Sequence, residues 1–151
     1  MTKNLLWVDS MESSAEYYEV LREQENRYKI DVVDKVTDAL DKIRNPYDGL
    51  VLRPRYLKLG DLSLAHELSG RLSESFVVGL WFYDRIKQPD IGFNKPAFMI
   101  YTIGNYAEVL FERAKSDKSI TLVNLLDTLP YDFARLVERK LIDNFRVGPR
   151  R

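Results

Sequence analysis

The sequence predicts a doubly wound α/β domain, a five-stranded parallel sheet with helices on both faces. Three observations carry that expectation. Short apolar runs alternate with segments of helical spacing, five of each, and such alternation sets strands parallel with helical crossovers between them. The stretch Gly49-Leu50-Val51-Leu52 holds no polar side chain, as suits a central strand covered on both faces. The chain has 151 residues, the right length for one domain with one core.

The first strand is Asn4-Leu5-Leu6-Trp7-Val8, ending in Asp9-Ser10. Ser13 and Ser14 offer an N-cap to a helix with Tyr17, Tyr18, Val20 and Leu21 on its apolar face, fading near Asn26. Tyr28 to Val33 reads as the second strand. Thr37 caps a short helix to Arg44, and Asn45-Pro46 stops it. The third strand ends in Arg53-Pro54. From Leu62 to Lys87 apolar residues recur at helical spacing, and an unbroken helix there would reach about 39 Å. Its second half, Phe76 to Tyr83, is apolar nearly all round, which implies burial on more than one side.

Pro96 to Thr102 is the fourth strand, followed by a helix carrying Tyr106, Val109, Leu110 and Phe111. Ser119 to Leu126 is the fifth. Thr128 caps the last helix, with Pro130 in its first turn and Phe133, Leu136, Val137, Leu141 and Ile142 on its inner face. One domain, residues 1–145, and a short tail, 146–151, follow. The expected strand order is 2-1-3-4-5, the flavodoxin-like arrangement, with an extended helical crossover between strands 3 and 4.

Composition narrows the function. Lys plus Arg equals Asp plus Glu at 23 each, so no global field draws in nucleic acid. Cysteine is absent, which excludes thiol catalysis, and nothing resembles a signal peptide or membrane span. A cytoplasmic protein is expected. His66 is the sole histidine, too few for a histidine metal site. Asp9 to Ser14 contains no glycine, which argues against a Rossmann or P-loop phosphate site. Arg53-Pro54-Arg55 and Arg150-Arg151 read as solvated charges.

In a doubly wound sheet the carboxyl ends of the strands hold ligands and chemistry. Arg53 stands at that end of the third strand. At this point the chain resembles a response regulator receiver domain, CheY-like, from Lys3 to about Asn144. Lys3 to Ser10 resembles the family's first strand with its acidic pair. Asp9 keeps the first acid and Ser10 replaces the second. Asn45 to Arg53 resembles the third strand, and the phosphorylated aspartate falls on Arg53. Thr102 keeps the fourth-strand hydroxyl. The fifth-strand Lys-Pro pair falls on Leu129-Pro130, so the lysine is lost.

Phosphoryl transfer to a carboxylate needs the carboxylate, Mg²⁺ held by further acids, and a cation. The resemblance therefore implies a pseudo-receiver, a non-catalytic signalling or regulatory module with no metal or cofactor. An ion pair between Arg53 and Asp9 is expected in place of Mg²⁺. Output would come from a protein partner or from self-association of the 62–87 helix as a homodimer, with Phe76, Val77, Leu80, Trp81 and Tyr83 as the candidate interface. A second reading is a flavodoxin-like protein or enzyme that holds a small anionic ligand near Asp9, Arg53 and Thr102.

Overall fold

A computed structural model describes residues 2–11, 13–24, 26–55, 57, 58, 60, 77–102 and 107–147, with Val77 and residues 143–147 described by backbone alone. The element order is β1 (Lys3–Val8), α1 (Ala15–Arg22), β2 (Tyr28–Val33), α2 (Val36–Lys42), β3 (Gly49–Leu52), α3 (Val77–Ile86), β4 (Ala97–Tyr101), α4 (Ala107–Ser116), β5 (Ile120–Asn124) and α5 (Pro130–Val147). The sheet runs β2-β1-β3-β4-β5 and every pairing is parallel. This is the expected order.

Side chains along a strand alternate between faces, and β3 and β4 are buried at every position because both faces are covered. Leu6, Val8, Leu50, Leu52, Ala97 and Met99 enter one core cluster, with Val36 and Ala39 of α2, Phe82 and Ile86 of α3, and Leu110 of α4. Leu5, Trp7, Val51, Phe98 and Ile100 enter the other, with Tyr17 and Leu21 of α1 and Phe133, Val137 and Leu141 of α5. Phe133 is the hub of the second layer. Its ring meets Trp7 at 5.8 Å, Tyr17 at 5.9 Å and Phe98 at 6.3 Å, all edge-on, a geometry that aromatic pairs favour.

Several boundaries differ from the sequence expectation. Helix α2 starts at Val36 after an extended Lys35, with no side-chain cap, so Thr37 lies inside the helix rather than before it. Strand β5 ends at Asn124, because the Asn124 Oδ1 accepts the Leu126 N–H at 3.0 Å and turns the chain. Ile142, expected on the inner face of α5, is 40% exposed. Helix α5 continues to Val147, two residues past the expected domain limit. The first half of the expected 62–87 helix, with Leu62, His66 and Phe76, lies outside the described residues.

The crossover after β3 does not lead straight into α3. Lys58 forms a parallel bridge with Lys35 beyond the end of β2. The Val36 N–H donates to the Lys58 carbonyl at 2.9 Å, and the Lys58 N–H to the Asp34 carbonyl at 3.2 Å. The chain leaving β3 thus reaches the β2 side of the sheet, crossing the end of β1. Gly79 of α3 sits on the start of this strap. A Cβ there would lie 2.3 Å from the Pro54 Cα and 2.6 Å from its carbonyl oxygen, so only glycine lets the helix approach so closely.

Candidate functional site

Backbone pairing builds the site. The ladders continue one residue past their strands: the Asp9 N–H donates to the Val33 carbonyl and the Arg53 N–H to the Val8 carbonyl, both at 3.0 Å. With Val8 paired to Leu52, Asp9, Ser10 and Arg53 come together at the carboxyl ends of adjacent central strands. Thr102 follows β4 directly and is half-buried. Leu129 does not join them. It stands five residues past the end of β5 and is 68% exposed. Asn124 holds the strand-end place expected for Leu129, since the Asn124 turn closes the strand early. No lysine lies between Ser119 and Pro130.

Asp9 is fully buried. Its Oδ2 accepts the Trp7 indole N–H at 3.0 Å and the Ser14 hydroxyl, and its Oδ1 accepts the Met11 N–H at 2.8 Å. Strand alternation explains the first bond, since Trp7 and Asp9 are two residues apart on one face. The second takes the place of a helix cap: Ser14 occupies the N-cap position of α1 but makes no side-chain cap bond. The third is made by a backbone held at φ 66° at Met11, a left-handed conformation uncommon outside glycine. A buried carboxylate that takes three donors anchors the β1–α1 connection. The sequence marks Ser14 as a helix cap and Trp7 as a strand residue, neither as a partner of Asp9. The residue two before the acid on the same strand was the available signal for Trp7.

Arg53, expected also as a solvated charge, is instead the other buried charge among the described residues, 3% exposed. The expected ion pair with Asp9 is not formed. The Asp9 oxygens already have their donors, and among the described residues no ion pair involves Arg53. The Nε and Nη1 atoms of Arg53 are buried without a hydrogen-bond partner, as is the Ser10 hydroxyl. Both residues therefore present unused donors at one end of the sheet. Among the described residues no group of three or more His, Cys, Asp or Glu is placed to hold a metal ion. A guanidinium offers only donors and keeps its charge. It can grip an anion, but it cannot accept a phosphoryl group as a carboxylate does.

The candidate interface is placed differently from expectation. Leu80 is 5% and Tyr83 2% exposed, both inside the core cluster between α3 and the sheet. They are unavailable as a surface because α3 is wrapped by its own domain. Trp81 is partly buried and packs against the same cluster. The Phe76 and Val77 side chains lie outside the described residues. Tyr83 instead fastens α3 to the α4–β5 turn, its hydroxyl donating to Asp117 Oδ2 at 2.6 Å. Burial, helped by that bond, pushes the Tyr83 phenol well above its ordinary value. Burial alone would raise the Asp117 carboxyl. Hydrogen bonds from Ser119 and Tyr83, with Lys87 nearby, outweigh it and hold the group below its usual range. Among the described residues the most exposed large apolar side chains are elsewhere, on α4 and around the start of α5: Phe111 at 43%, Leu126 at 62%, Leu129 at 68% and Tyr131 at 67%.

No protein-family model matches this chain, and no curated protein does. Solved structures do. The chain is similar to a response regulator receiver domain protein (CheY-like) from Methanospirillum hungatei JF-1, with a TM-score of 0.66 and 13% identity over 98% of this chain and all of that one. It is similar to the receiver domain of sensor histidine kinase PA1611 from Pseudomonas aeruginosa PAO1, a structure with a magnesium ion coordinated in its active site cleft (TM-score 0.59, 13% identity, 93% and 98% covered). It also matches NtrX from Brucella abortus (TM-score 0.65, 17% identity), covering 95% of this chain and 28% of that one. The fold is therefore that of CheY-like receiver domains, and identity this low speaks to the fold alone. No helix among the described residues is long and apolar enough to cross a membrane.

Proposed function

We propose that this chain is a receiver-fold signalling module that is not phosphorylated at its strand-end site and acts by binding protein, without catalysis of its own. The observation that carries the reading is Arg53. A buried guanidinium occupies the end of β3, where this fold places its chemistry. Two further observations support it. Asp9 is fully buried and bonded to three donors, which opposes recruitment of a hydrated Mg²⁺. The β5 end carries Asn124 rather than a lysine, so the expected cation for the incoming phosphoryl oxygens is missing there. Binding of a protein partner, or of a second copy, is supported by the exposed Phe111, Leu126, Leu129 and Tyr131. A cytoplasmic setting in a two-component pathway fits this reading.

The test is incubation with acetyl phosphate or phosphoramidate and Mg²⁺, read by intact mass. The expected result is an unchanged mass, and Arg53→Asp in parallel reports whether a carboxylate at the β3 end can accept phosphate in this fold. A hydroxylamine-labile acyl phosphate on the native chain would refute the reading. Self-association is tested by light scattering on the native chain and on Tyr131→Asp. A native dimer that becomes a folded monomer supports association through the start of α5.

A further inference from the structure

We propose that Arg53 anchors a small oxyanion, phosphate-like or carboxylate, held non-covalently at the carboxyl ends of β1 and β3. The proposal rests on the reading above, since a covalent phosphoryl acceptor would need a carboxylate where the guanidinium stands.

The argument begins with the unpartnered donors. Arg53 is 3% exposed and its Nε and Nη1 atoms have no hydrogen-bond partner. An arginine cannot shed its charge to escape burial, and a buried charge without a counter-charge is costly. A protein that keeps such a group calls for an account of what it meets. Asp9 cannot supply the counter-charge, because its oxygens face Trp7, Met11 and Ser14. The second unpartnered group, the Ser10 hydroxyl, lies one residue past Asp9 on the neighbouring strand. The Ser14 hydroxyl is turned to Asp9, so α1 begins without a side-chain cap. An oxyanion supplies what these groups lack, negative charge and several acceptor lone pairs, and arginine recognises it through charge-assisted hydrogen bonds. The burial of the Arg53 nitrogens means that the ligand reaches them through local opening, so binding should be slow on mixing and complete after incubation.

The experiment is thermal unfolding of the full chain in chloride buffer, titrated with inorganic phosphate, sulfate or acetate at constant ionic strength, after overnight equilibration. The native chain is compared with Arg53→Met. Phosphate and sulfate raise the midpoint of most proteins by exclusion from the surface, and that part should be equal in the two proteins. The expected result is an added, saturable rise in the native chain that Arg53→Met lacks. A rise with phosphate and sulfate assigns an inorganic or phosphoryl oxyanion, and a rise with acetate alone assigns a carboxylate. Ser10→Ala should bind about fivefold more weakly, the scale of one neutral hydrogen bond. The proposal is overturned if none of the three anions gives a saturable rise in the native chain, or if Arg53→Met shows the same rise. Should Arg53→Met fail to fold, titration calorimetry of phosphate, sulfate and acetate into the native chain decides: saturable heat supports the site and its absence overturns it. Failure here leaves the unphosphorylated reading intact, whereas a covalent phosphoryl adduct in the mass assay removes both.

Discussion

Asp9 and Arg53 are two buried charges on adjacent strand ends, and they are treated in opposite ways. Asp9 is fully covered and takes donors from Trp7, Met11 and Ser14. Arg53 is covered almost as well and leaves two of its nitrogens without a partner. Burial of a charge is sustainable when its hydrogen bonds are made and expensive when they are not. The satisfied group belongs to the scaffold, and the unsatisfied group is the candidate for function. Opposite charges on neighbouring strands would suggest a pair by proximity alone. The local donors around Asp9 decide otherwise.

The comparison can be broken hardest at Asp9. Asp9→Ala takes the acceptor from the buried Trp7 indole N–H and Ser14 hydroxyl and from the part-buried Met11 N–H, and should cost about 3 kcal/mol in all. Urea unfolding measures it, and a cost under about 1 kcal/mol would mean that water or another acceptor replaces the carboxylate. Gly79→Ala comes next. The methyl group would meet the Pro54 backbone at 2.3 Å, and overpacking against a rigid neighbour costs about 1–3 kcal/mol. That should outweigh the gain of roughly 1 kcal/mol that alanine brings to a helix interior, so the unfolding midpoint falls.

Asp117 sharpens the contrast from the far end of α3. Like Asp9 it is a carboxylate with its donors in place, from the Tyr83 hydroxyl and from the Ser119 N–H and hydroxyl. Its folded-state value is lowered, so its contribution to stability is complete above the unfolded carboxyl value of about 3.9 and is lost as pH falls through the lower folded value. Asp117→Asn should cost about 1 kcal/mol at neutral pH. The gap to the native chain should close as the medium is acidified below about pH 4. A gap that stays constant on acidification would show that the carboxylate charge plays no part.

The sheet was legible because β3 and β4 are short apolar runs lying between helical segments, a pattern with few alternative arrangements. Leu50, Val51 and Leu52 all turned out fully buried. The carboxyl-end location of Asp9, Ser10 and Arg53 followed from strand boundaries alone. What the residues do to one another did not. The Trp7–Asp9 bond depends on side-chain reach within one face, and Ser14 had two roles open to it at the start of α1. Leu129 was misplaced because the Asn124 turn ends β5 early, and the Leu-Pro pair looked like a strand end. Leu80 and Tyr83 of α3 differ from expectation for another reason. An all-round apolar helix signals burial, and Leu80 and Tyr83 are buried, but by their own domain rather than by a partner.

The most direct test of the difference between the two charges is the urea unfolding free energy of Arg53→Met, in phosphate-free buffer, beside that of Asp9→Ala. Replacing a buried cation that makes no ion pair among the described residues by an apolar side chain of similar length is expected to be neutral or stabilising by about 1 kcal/mol, while Asp9→Ala is destabilised. If Arg53→Met is instead destabilised as much as Asp9→Ala, the guanidinium is part of the scaffold, and the assignment of the β3 end to function fails.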